Sequence, residues 1–371
     1  MILAVNTVNS RRCNIHGCRM AMLLFATCAA VGAVCSADEP LAFESFDKID
    51  CHSHLRYTGR EMAERARVMR FRLINISTNN FDIEWQARLA RQQRNHFPGT
   101  VEHVTAFSMQ GFAEPWWSKT TIDQIDRSID NDGAIGVKIW KDVGMHFRTP
   151  NGDFVMIDDE RFTPLLKHLE TRGVTLVLHM ADPIEYWQSP EQIEPNSVRH
   201  RIVKNGGLYV MHGRKNVPAH QGIMAARDRV VARHPNLRIV GVHLASLEHS
   251  LEEIGQRLDS YPNFAIDTAA RMRDLVRYDR DELRAFFIRY QDRIIYGTDM
   301  SIKPHHNGQK KSEELMARWH RDWNLLAGSK ETDVKTLTGD SKYAGLALPE
   351  SVLRKIYREN ALKWFPKMAR P

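Results

Sequence analysis

Ile49-Asp50-Cys51-His52-Ser53-His54-Leu55 reads as a short strand that ends in two histidines one residue apart. Successive strand side chains point to opposite faces, so residues two apart share one. His52 and His54 therefore project together, in position to grip a single metal ion. Cys51 falls on the other face and reads as core. Two structural histidines are the ordinary explanation of an isolated His-x-His, so the rest of the chain decides what this pair does.

Upstream lies a segment that reads as a leader. Arg11, Arg12 and Arg19 form a basic region, an apolar run follows from Met20 to Cys35, and small residues lead to Ala37 just before Asp38-Glu39. This is the layout of a secretory signal peptide over residues 1–37, with an apolar run too short for a comfortable membrane span. The expectation is an exported protein, periplasmic or secreted, with no stable membrane insertion after cleavage and one mature domain over 38–371. Four of the five cysteines (Cys13, Cys18, Cys28 and Cys35) sit in the leader, so Cys51 alone remains and no intramolecular disulfide is expected. The formal charge of +7 includes three leader arginines, which leaves +4. That is too mild and too evenly mixed to suggest a nucleic-acid partner.

Downstream, β-rich runs alternate with amphipathic stretches across a chain of 371 residues, 43% hydrophobic. The runs are Lys48–Leu55, Phe71–Ser77, His103–Met109, Ala134–Trp140, Val174–His179, Leu237–His243, Phe264–Thr268 and Arg293–Asp299. Helical spacing marks Glu61–Met69, Trp85–Asn95, Thr120–Asp130, Asp159–Thr171, Ala225–His234, Ser246–Tyr261, Glu282–Tyr290 and Glu350–Phe365. Eight strand–helix pairs fit an α/β fold of the (β/α)8 TIM-barrel kind, ~250 residues plus insertions. The insertions are long loops after strands five and eight. A doubly wound open sheet is the alternative, but no Gly-rich phosphate fingerprint follows the first strand.

Barrel chemistry sits where strands end. Strand one ends in His52 and His54, strand four carries Lys138, strand five ends in His179, strand six in His243 and strand eight in Asp299. Titratable groups ending apolar buried strands carry a desolvation cost unless paired or metal-bound. Any one of them could be a satisfied core residue; the four histidines and one aspartate at the matching ends of four strands read as a metal site.

This set resembles the amidohydrolase superfamily, and the segment Leu348–Ala361 resembles the C-terminal helix of its amidohydrolase-related branch. That branch contains metal-dependent hydrolases, lactonases and nonoxidative decarboxylases. The resemblance implies that His52, His54, His179 and Asp299 hold one divalent metal ion, zinc or alternatively manganese. It also implies that Asp299 acts as general base and that neutral His243 steadies a developing oxyanion. Two-metal relatives bridge their ions with a carboxylated lysine after strand four, so a second metal on Lys138 is the minority alternative. Arg56, Lys138, Trp140 and Arg271 are substrate-binding candidates, the arginines as clamps for a carboxylate. Lys141, His146, His212, His220, His305, His306 and the Trp116-Trp117 pair are softer pocket candidates.

The expected activity is metal-dependent hydrolysis of an ester, lactone or amide in a small anionic substrate. A decarboxylase on the same scaffold is the first rival, and a catalytically inactive ligand-binding barrel the second. A homo-oligomer is compatible with either.

Overall fold

The computed structural model describes residues 41–368, so the expected leader lies outside the described residues. Among these residues nine parallel strands form one sheet: β1 (Lys48–Leu55), β2 (Phe71–Ile76), β3 (Val101–Thr105), β4 (Gly136–Ile139), β5 (Thr175–Leu178), β6 (Ile239–Gly241), β7 (Phe264–Asp267), β8 (Ile294–Ile295) and β9 (Met300–Ile302). Each pairs with its successor from β1 to β8, and β9 pairs back to β1. Only Tyr296–Asp299 separates β8 from β9, so these are two halves of one broken eighth strand. Cys51 N–H donates to Tyr296 O (2.9 Å) and Asp299 N–H to His52 O (2.7 Å), carrying the ladder across the break. The sheet thus closes, which makes the fold a (β/α)8 barrel and rules out the open doubly wound sheet.

Among the described residues the core has two main parts, beside a small cluster of Ile193, Val203 and Val210. A large cluster fills the space between strands and outer helices. A smaller one lies among Ile49, Cys51, Val177, Val240 and Ala265, joined by Trp364 and Phe365 of the last helix. Thr175 Oγ donates to Trp364 O, and Phe365 lies against Gly136. Both contacts are at first residues of strands, so the C-terminal helix closes the barrel end opposite the strand tips.

Gly173 stops its helix as expected, with φ at 61° and its N–H returning to Leu169 and Glu170 carbonyls. The third strand starts two residues earlier than its apolar run suggested. The segment after β5 holds a helix, Val198–Lys204, that has no clear periodic signature. The segment after β9 holds the helix Gly308–Ala327 and an antiparallel hairpin, β10 (Glu331–Lys335) with β11 (Asp340–Ala344). Among the described residues, no helix is long and apolar enough to cross a membrane.

Candidate metal centre

The β1–β2 register shifts between Asp50 and Ser53, an irregularity of the kind that re-aims side chains near sites. It spans Cys51 and His52, and the rings of His52 and His54 approach edge to face at 5.2 Å. His52 Nδ1 donates to Asp267 Oδ2 at 2.7 Å, leaving Nε2 3.5 Å from Asp299 Oδ1. His54 Nδ1 lies 2.7 Å from Ile76 O, and its Nε2 lies 3.1 Å from the same Asp299 oxygen. The carbonyl can only accept, so His54 Nδ1 carries the proton; Arg56 Nη2 lies 3.2 Å from the same nitrogen and donates to Thr78 Oγ1 at 2.9 Å.

Asp299 reaches this pair from the broken strand with a left-handed φ of 61°, a conformation that costs about 1–2 kcal/mol outside glycine. Thr298 beside it is tied down, donating N–H and Oγ1–H to the buried Asp50 (2.9 and 2.7 Å). Burial would raise the Asp299 pKa, but the adjacent His54 and the other imidazoles around it hold it well below the usual carboxylate range. Burial also pushes His54 down to about 4. At neutral pH, a His54 lone pair and an ionised carboxylate oxygen therefore face each other at 3.1 Å. A cation between them removes that repulsion, and two imidazole nitrogens with one carboxylate oxygen are a donor set suited to a divalent ion.

A second acidic–histidine grouping brings together His52, His243 and Asp267. Its donors are already spent. Asp267 Oδ2 accepts His52 Nδ1–H, while Oδ1 accepts the backbone N–H groups of His243 (2.6 Å) and Ala269 (3.1 Å). Asp267 therefore orients His52 as an outer carboxylate. It was not singled out in the sequence, although it too ends an apolar strand in a titratable group.

His179 does not join the His52–His54–Asp299 triplet within 4.8 Å. Its ring meets His243 edge to face at 4.4 Å, and its buried Nε2 has no hydrogen-bond partner. The nearest carboxylate, Asp182, is 3.7 Å away and held by Lys141 at 2.6 and 2.8 Å. His243 stacks on His52 with ring centres 4.8 Å apart. Its Nδ1 donates to Ala269 O at 2.9 Å, and burial drives its pKa well below normal. With Nδ1 donating, the neutral ring presents a lone pair at Nε2.

His243 opens a run of four left-handed residues, His243 to Ser246, with φ between 55° and 59°. Buried partners hold this turn. Arg227 Nη1 donates to Ala245 O at 2.6 Å, His220 Nε2 to Ser246 O at 3.1 Å, and Ser246 Oγ to Ala181 O at 3.1 Å. His220 is therefore a support beneath the turn, not a pocket wall.

Lys138 Nζ is buried without a hydrogen-bond partner, and burial pushes its pKa down to about 8. Arg271 is held at Nε by Glu248 at 3.3 Å, inside a buried network where Arg199 meets Glu185 (2.5 Å), Glu248 (3.0 Å) and Asp274. Arg56 lies over the Phe81 ring at 4.4 Å. Trp140 is half-buried against Tyr209. Trp117 is core, donating to Ser108 O, whereas Trp116, His146, His212 and His305 are exposed.

A sequence model of the amidohydrolase family matches residues 49–367. No curated protein matches the chain by sequence. Among solved structures, the fold is similar to a 2,6-dihydroxybenzoate decarboxylase from Rhizobium at 15% identity and a TM-score of 0.51, covering 86% of this chain and 98% of that one. It is similar also to a dihydroxybenzoic acid decarboxylase from Polaromonas sp. JS666, solved with manganese and the inhibitor 2-nitroresorcinol. That match has 14% identity and a TM-score of 0.51, covering 87% and 98% of the two chains. At such identities the likeness is one of fold.

Proposed function

The chain belongs to the amidohydrolase family, and from that premise we propose that it is an exported metal-dependent hydrolase that splits an ester, lactone or amide of a small anionic substrate with water. His52, His54 and Asp299, joined by His179 through its unpartnered nitrogen, would hold one divalent ion, zinc or manganese. Such an ion, when bound, acidifies water and polarises a carbonyl oxygen.

The chain's own groups do the remaining work. Asp299 stays ionised and has 29% of its side chain exposed toward solvent, so it can take a proton from water and return it to the leaving group. His243 accepts a hydrogen bond at Nε2 and orients water or a substrate hydroxyl. Lys138, with three donors and no internal partner, meets a substrate anion. The observation that carries the reading is the ionised Asp299 oxygen facing two imidazole nitrogens at 3.1 and 3.5 Å.

The same unpartnered Lys138 favours a second reading, decarboxylation, because a buried cation also grips a carboxylate that is to be lost. Turnover in 18O-labelled water separates the two. Label in the product carboxylate, without carbon dioxide, supports hydrolysis; released carbon dioxide with no incorporated label overturns it.

A further inference from the structure

A cavity of about 450 Å3 opens between the helix Gly308–Ala327, the β10–β11 hairpin and the short helix Met272–Leu275. None of His52, His54, His179, His243, Asp267 or Asp299 lines it. Five cations do: Arg201, Arg273, Arg318, Arg321 and Lys335. Two carboxylates share its wall, Asp322, which accepts the Tyr296 hydroxyl at 2.9 Å, and Asp340, which pairs with Lys335, so the cations outnumber them five to two. Among the described residues, Arg273 and Arg321 have no carboxylate within 4.0 Å, and Arg318 only reaches Asp322 at 4.0 Å.

Three half-buried guanidiniums thus share one concavity with little counter-charge. Burial, and then the neighbouring Arg318, press the Arg273 pKa downward, as expected of crowded like charges. The repulsion costs free energy that an incoming anion would offset. Guanidinium forks match phosphate oxygens bidentately, and a lysine adds a point charge. Met272, Leu325 and Val334 supply an apolar wall beside these cations. The volume falls within the range of small-molecule pockets, roughly 300–1,000 Å3.

We propose that this cavity binds a small organic phosphate, its phosphate on Arg273, Arg318 and Arg321 and its carbon skeleton against the apolar wall. The inference stands apart from the hydrolytic reading, since it shares no residue with the metal centre.

Calorimetric titration of the full chain with glycerol 3-phosphate, at constant ionic strength, tests it. One saturable site is expected. Arg273→Gln and Arg321→Gln should each weaken it by roughly tenfold or more, as loss of a charged hydrogen bond implies, with unchanged melting temperatures. His54→Ala should leave the affinity intact. Inorganic phosphate should bind more weakly than the ester; equal affinity would refute a role for the carbon skeleton. No saturable binding, equal affinity in both arginine variants, loss in His54→Ala, or equal binding of glutarate would each overturn the proposal.

Discussion

Replacing Asp267 by Asn tests the support of the metal centre without touching a proposed ligand. Asp267 Oδ1 accepts two backbone N–H groups, at 2.6 and 3.1 Å, so the amide oxygen of Asn must take that side. Its NH2 group then faces His52 Nδ1, where the carboxylate had accepted a proton at 2.7 Å. Two donors cannot share that contact. His52 must move its proton to Nε2, the nitrogen 3.5 Å from Asp299 Oδ1, and so lose the lone pair directed at the centre. Removing an outer carboxylate of this kind weakens metal affinity by about 10–100-fold, or about 1.4–2.8 kcal/mol. Competition for zinc against a chromophoric chelator reads the change directly, with circular dichroism reporting the fold. A folded Asp267→Asn protein with wild-type affinity would refute the tautomer argument and leave Asp267 as mere packing.

Lys138→Met should keep the metal content while raising KM for an anionic substrate by about tenfold, because it removes one unpartnered cation from the site; loss of metal from a two-metal protein would instead make Lys138 a bridging ligand. Lys48 gives a pH signature remote from the site. It is fully buried, donating to Phe43 O (2.5 Å) and Phe46 O (2.9 Å), and burial, then Arg70, lower its pKa from 10.5 to about 8. Between those values the unfolded chain binds more protons, so stability should rise with pH across that window. Urea midpoints measured from pH about 8 to about 10 should climb in the wild type, and Lys48→Met should flatten that climb; an equal climb in both would contradict the assignment.

Much of the fold was legible because the barrel strands are buried and read as apolar runs with sharp ends. β1 matches its expected bounds at both ends, and the strand-end residues His52, His54, His179, His243 and Asp299 lie close to one another. What stayed hidden was set by tertiary partners. The left-handed turn at His243–Ser246 contains no glycine, so nothing local announces it; Arg227 and His220, distant in sequence, hold it. The break in strand eight is likewise fixed by Asp50 reaching Thr298. The β10–β11 hairpin is polar and exposed, so it lacked the alternation that betrays a half-buried strand. Asp267 could have been found by the rule that found Asp299, a carboxylate ending a buried apolar strand.

Elemental analysis of the purified protein before and after chelation tests whether His52, His54 and Asp299 surround a divalent ion. About one zinc or manganese per chain is expected, removed by chelator together with turnover, restored on adding the ion back, and missing in His54→Ala. A folded protein that takes up no metal after reconstitution, or a His54→Ala variant that retains it in full, would rule out a metal ion held by these three residues.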